Sequence, residues 1–199
     1  MVDINGRGSC RRTPVMLAAE KGHIEIVKLL VDKGGDMSLV DKGHDNILHL
    51  ACLCGQIEVV KYVLSQDIVD INSRGRKRKT PVMLAATNGH KQVNTVEINS
   101  RGYKKRTPMM WAALKGHKEV LELLVNNRAD ASLVDKSGNN ILHLACQRGR
   151  MEVVKYIVSK VIVDVNAKNK KRETAANIAS SQGRGDMKDL LVSHGAYMS

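Results

Sequence analysis

From Thr13 to Val31 the chain reads TPVMLAAEKGHIEIVKLLV, and its apolar positions fall into two groups on either side of one glycine. Val15, Ala18 and Ala19 share one face of a first helix. Ile24, Ile26, Val27, Leu29 and Leu30 form a second apolar stripe at helical spacing. Thr13 is placed to cap the first helix, because its hydroxyl can accept from a free backbone N–H two or three residues on. Pro14 suits the first helical position, where a missing N–H is no loss. Gly22 supplies the left-handed residue that closes the helix. The pattern predicts two short helices joined by a tight turn.

The pattern returns along the chain. TPVMLAATNGH starts at Thr80, TPMMWAALKGH at Thr107, NILHLACLCG at Asn46, NILHLACQRG at Asn140 and TAANIASSQG at Thr174. Successive starts lie 33, 34, 27, 33 and 34 residues apart. A period near 33 built on T-P-L-H-x-A resembles the ankyrin-repeat family, and the resemblance covers nearly the whole chain. It implies an all-α solenoid of paired antiparallel helices with β-hairpin loops, in about six repeats.

Boundaries follow from the period. The expected array is 13–45, 46–79, 80–106, 107–139, 140–173 and 174–199, preceded by 1–12 as the tail and hairpin of an earlier repeat. Residues 2–5, VDIN, match VDIN at 69–72 and VDVN at 163–166, so the chain opens on the end of a repeat and reads as part of a longer array. Two kinds of repeat alternate. One begins TPVM or TPMM after a basic hairpin. The other begins NILHLAC after SLVDK, and SLVDK, NILHLAC and EVVKY all recur 94 residues on. In the last repeat Lys188 stands where Val27 stood, which suits a cap. The third repeat is truncated: 40 residues are missing against the period, at Val93–Asn94. A second helix of one turn or none is expected there, with residues 89–99 the weakest part of the stack.

Composition narrows the picture. The chain has no Phe, one Trp and four Tyr, so the core must come from Leu, Val, Ile, Ala and Met. No apolar stretch approaches the roughly 20 residues of a membrane span, and the first residues hold no apolar run of signal-peptide type. The expected location is cytoplasmic or nuclear. Of the four cysteines, Cys52 and Cys146 occupy the slot of Ala19 and read as small buried hydrophobes. Cys52-x-Cys54 with His49 one turn earlier has some features of a metal site, but no second CxxC or His pair has zinc spacing.

Charge changes the picture more. The loops 6–12, 73–79, 100–106 and 167–173 carry 16 of the 32 Lys and Arg against one acid, Glu173. They are +15 in a chain of net +12, which leaves everything else slightly acidic. GRKRK at 75–79 reads as a nuclear localisation signal, or as a contact for nucleic acid, anionic lipid or an acidic protein surface. Tyr103 is the only fingertip aromatic, a poor stacking platform for single strands. The hairpin glycine of the family is replaced by Arg11, Arg78, Lys105 and Arg172.

The remaining chemistry is sparse. His49 and His143 match the histidine of T-P-L-H-x-A and read as structural hydrogen-bonders, as do His23, His90 and His117 after the helix-joining glycine. No phosphate loop or nucleophile–base pairing stands out, so the expectation is a chain that is not an enzyme and needs no cofactor. Carried from the family onto this chain, the recognition positions are Arg12, Lys79, Arg106, Asn88, Leu114, Lys115, Gln147 and Arg148, with Leu53 and Cys54. The basic tips add Arg76, Lys77, Arg78, Tyr103, Lys104, Lys105, Lys170, Lys171 and Arg172. Trp111 stands where Leu17 and Leu84 stand, either as packing in the stack or as a binding hot spot. The expected function is non-catalytic binding of another protein through an acidic face on that partner. Sequence-independent nucleic-acid binding through the same fingers, and a spacer role in a larger scaffold, are the alternatives.

Overall fold

In a computed structural model of the chain, residues 3–90 and 98–197 are described. Among them are eleven α-helices and no β-strand. Two compact units, 1–97 and 98–199, emerge from the pattern of contacts. The expected short helix and the junction at Val93–Asn94 lie outside the described residues.

In the first unit α1 (Pro14–Lys21) pairs with α2 (Ile24–Asp32), and α3 (Ile47–Cys54) pairs with α4 (Ile57–Ser65), followed by α5 (Pro81–Asn88). Helices α1, α3 and α5 pack side by side as one layer, with α2 and α4 behind them. The second unit repeats the plan. Helices α6 (Pro108–Lys115), α8 (Ile141–Gln147) and α10 (Ala175–Ser181) form the first layer. Behind them lie α7 (Lys118–Asn126), α9 (Met151–Ser159) and α11 (Gly185–Ser193). The core is aliphatic and methionine-rich, with Met16, Leu50, Met83, Met110 and Leu144 all fully buried.

The helices begin and end as the pattern predicts, with one correction. Gly22, Gly55, Gly89 and Gly116 sit in the left-handed region at the C-caps. At Gly55 the requirement is double: φ is +72°, and a Cβ there would come 2.5 Å from the His90 ring. Asn46, Asn140 and Thr174 cap their helices through the side chain in full capping boxes. Thr13 does not. Its hydroxyl makes no cap bond, although its backbone is extended as a cap requires and its side chain is buried. Thr107 in the equivalent place only just reaches, accepting from the Met110 N–H at 3.3 Å.

The layers are tied by one recurring device. At four of the helix-joining turns the residue after the turn reaches back to a carbonyl near the end of the preceding repeat's inner helix. Gln56 donates to the Glu20 carbonyl at 3.1 Å, His90 to Leu53 at 3.0 Å, Arg150 to Leu114 at 3.2 Å, and Arg184 to Cys146. Each bond satisfies a carbonyl that the helix leaves without an internal partner.

The fingers are hairpins too short for strands. In finger 75–79 the Gly75 N–H meets the Lys79 carbonyl at 2.9 Å, and the Lys79 N–H meets the Arg76 carbonyl at 3.2 Å. The two residues between, Lys77 and Arg78, both have φ of +55°. That is the sense of a type I′ turn, the tight turn that matches strand twist. Cys10 and Arg11, and Lys104 and Lys105, repeat it. The family's left-handed turn is therefore kept without its glycine, in a region that disfavours side chains by about 1 kcal/mol or more per residue. Finger 169–173 differs. Only Arg172 is left-handed there, and the Asn169 side chain accepts from the Lys171 N–H at 2.9 Å. This is the turn of the SLVDK fingers, where Asp41 accepts from the Gly43 N–H at 2.6 Å and Asp135 from the Ser137 N–H at 2.8 Å.

Candidate functional site

In the first unit Arg76, Lys77 and Arg78 project from their finger into solvent. Neighbouring fingers hold that finger in place: the Arg76 N–H donates to the Asp45 carboxylate at 2.9 Å, as the Lys42 N–H does to the Cys10 carbonyl at 2.7 Å. The cations at the base of the fingers are engaged within the protein. Arg12 pairs with Glu20 at 2.7 Å and with Asp41 at 3.4 Å. Burial works against its charge, but the two carboxylates outweigh it and raise its pKa. Lys79 donates to the Thr87 hydroxyl at 3.1 Å, and Asn88 to the carbonyls of Leu53 and Leu84. Arg12, Arg76, Lys77 and Lys79 come together around a recess of about 220 Å³, with Leu53 and Leu84 in its wall and the buried carboxylate of Asp45 beside them. Cys54 stays half-buried outside it.

In the second unit Tyr103, Lys104 and Lys105 are exposed, with the Lys104 ammonium 5.7 Å from the Tyr103 ring centre. Arg106 is half-buried. Its guanidinium donates to Asp135 through two nitrogens, both at 3.2 Å, and lies 5.4 Å from the centre of the Trp111 ring. Burial decides between the two readings of Trp111 and corrects the one for Leu114. Trp111 is only 9% exposed and Leu114 5%, so both belong to the packed interior and neither is a surface anchor. Lys115, Gln147 and Arg148 are exposed at the ends of α6 and α8, and Lys170, Lys171 and Arg172 at the tip of their finger. Gln147 and Lys171 share a second recess, of about 240 Å³, with Asn139, Glu173 and Ile178.

These stacked helix pairs, finger turns and back-reaching linker bonds belong to one repeating plan. A family model described as ankyrin repeats in three copies matches residues 1–75, 67–135 and 109–199. The chain belongs to the ankyrin-repeat family. It is 38% identical over 86 residues to Ankyrin repeat, SAM and basic leucine zipper domain-containing protein 1 of Otolemur garnettii, covering 41% of this chain and 18% of that protein. It is 31% identical over 90 residues to Protein VAPYRIN-LIKE of Medicago truncatula, covering 44% and 19%. The human ASB11 ankyrin repeat domain superposes with a TM-score of 0.83 at 24% identity, over 94% of this chain and 86% of that one. The match spans less than a fifth of the length of those curated relatives.

Ankyrin repeats are in general protein–protein interaction modules and non-catalytic scaffolds, and the side chains here that look reactive have structural work. The His49 Nε2 lies 3.2 Å from the Lys79 carbonyl, and its Nδ1 accepts from the Asn46 N–H at 3.3 Å. His143 does the same with Glu173 and Asn140. Burial lowers the pKa of both rings against the pull of nearby carbonyls and carboxylates. Burial also pushes the Cys52 and Cys146 thiols up to about 12, far from a reactive thiolate. No group of three potential metal ligands occurs among the described residues, and no helix there is long and apolar enough to cross a membrane. What the ankyrin pattern did not reveal was the set of acids behind the cations: Glu20, Asp41, Asp45 and Asp135. The constant offset of 29 residues from Arg12 to Asp41 and from Arg106 to Asp135 was the available signal.

Proposed function

We propose that this ankyrin-repeat chain binds another protein without catalysis, recognising an acidic face through its basic fingertips. One observation carries the reading: cations occupy left-handed fingertip positions where glycine would be less strained, at Arg11, Lys77, Arg78, Lys104 and Lys105. Strain held at an exposed position is a reason to look for a role there. Arg12 and Arg106, behind the tips, are already paired with carboxylates, so the charge available to a partner is that of the tips. A cytosolic or nuclear location goes with this reading, in keeping with four cysteines that form no disulfide.

The test is capture of partners by the purified chain, with and without nuclease, at two salt concentrations, beside a variant in which Arg76, Lys77, Arg78 and Lys79 are all Glu. Capture that resists nuclease, weakens with salt and fails in the variant supports the proposal. Nuclease-sensitive capture, with log K falling against log salt by about 0.9 per phosphate contacted, assigns the fingers to nucleic acid. Capture indifferent to both salt and the four substitutions removes the electrostatic reading.

A further inference from the structure

The two recesses are copies of one site, displaced by 94 residues, and they have diverged in chemistry. Leu53 in the first corresponds to Gln147 in the second, Lys79 to Glu173, Asp45 to Asn139 and Leu84 to Ile178. The first is lined by four cations against one carboxylate, with two leucines. The second sets one cation, Lys171, against one carboxylate, Glu173, and is otherwise mostly amide and hydroxyl. The scaffold therefore tolerates a neutral polar recess at this place, and the cationic, leucine-walled form goes with different side chains and a different finger turn.

We infer that the first recess is a specificity pocket for one apolar side chain flanked by carboxylates, so that the partner presents an acidic peptide with a leucine-sized anchor. The inference rests on the acidic-face reading above and names its chemistry. Leu84, buried, and Leu53, half-buried, both line the recess, and an apolar side chain set against them leaves water. Arg76 and Lys77 stand exposed at the rim, where carboxylates on either side of the anchor meet them. Asp45 does not oppose this arrangement, because its carboxylate is buried and accepts the Arg76 N–H. Nucleic acid suits the recess less well: it would meet the cations, but its bases find leucine where an aromatic platform would be needed.

Fluorescence anisotropy on the full chain tests this with two labelled peptides, three glutamates on each side of a leucine and the same peptide with serine in its place. At low salt the leucine peptide is expected to bind roughly tenfold more tightly. Leu53→Gln, the residue the second recess already carries, should erase most of that difference and leave the serine peptide unchanged. Arg76→Glu with Lys77→Glu, both on the surface, should weaken both peptides. Equal binding of the two peptides to the intact chain, or discrimination that survives Leu53→Gln, overturns the pocket while the acidic-face reading stands. If neither peptide binds and a duplex oligonucleotide does, that reading falls and the pocket with it.

Discussion

Arg78 has a solvent-exposed side chain and a φ of +55°. A side chain in the left-handed region crowds its own backbone, and glycine does not. Arg78→Gly is therefore expected to raise unfolding free energy by about 1 kcal/mol in urea titration while weakening partner binding; no gain in stability would show that the turn is unstrained. His49 and His143 set a pH dependence. Burial holds both rings below the ordinary histidine value of 6.5, so below that value the unfolded chain binds protons that the folded chain refuses. Their contribution is complete above about pH 6.5 and is lost as pH falls towards the lowered pKa. Urea midpoints from pH 8 down to 5 should fall, with a shallower slope in the double variant His49→Gln, His143→Gln. The structural hydrogen-bonding role of these histidines was legible because their motif repeats, and the capping box it serves was not. The burial of Trp111 was not, since the same helix position is 47% exposed at Leu17 and fully buried at Leu50: packing against a neighbour decides it, not local pattern.

Among the elements, the helix pairs were readable from periodicity, and the fingers were readable only as charge. Their two turn types follow from the first residue of each. Gly8, Gly75 and Gly102 open the doubly left-handed turns, whereas Asp41, Asp135 and Asn169 open turns in which that side chain accepts a backbone N–H. The sequence carried this distinction, but the shared basic charge of 167–173 masked it. Gly75 has a steric role as well. A Cβ there would run into the Asp45 carboxylate and come within 2.8 Å of the His49 ring. Gly75→Ala should cost about 1–3 kcal/mol by overpacking, readable as a lowered urea midpoint and faster amide exchange at Arg76, whose N–H Asp45 accepts. Wild-type exchange at Arg76 in the variant would show that the finger shifts aside at little cost.

Net charge governs the whole molecule. At +12, with +15 on four loops, like charges repel in the folded state more than favourable surface pairs offset. The exposed pairs Lys28–Glu25, Lys61–Glu58 and Lys155–Glu152 are screened by solvent and offset little of that repulsion. Raising sodium chloride from about 50 to about 500 mM shortens the screening distance from above roughly 10 Å to a few ångströms. It is expected to raise the melting temperature; a fall would mean that the ion pairs outweigh the repulsion. The ankyrin family and its all-helical repeat stack were visible in sequence at this scale. The divergence of the two recesses was not, because it appears only when Leu53 is seen around one space with Lys79 and Leu84 of the following finger and helix.

The back-reaching linker bond has a consequence for inheritance. Its donor is Gln56, His90, Arg150 or Arg184, and its acceptor is always main chain. A joint of this kind asks nothing of the neighbour's side chains. Recombination between the two copies 94 residues apart can therefore exchange donors: joining residues 1–72 to 167–199 would set Arg184 in the place of His90, against the Cys52 carbonyl that corresponds to Cys146, one residue before the Leu53 carbonyl that His90 meets. Gene rearrangement can lengthen or shorten such a chain by whole repeats, each product arriving with its seams already closed.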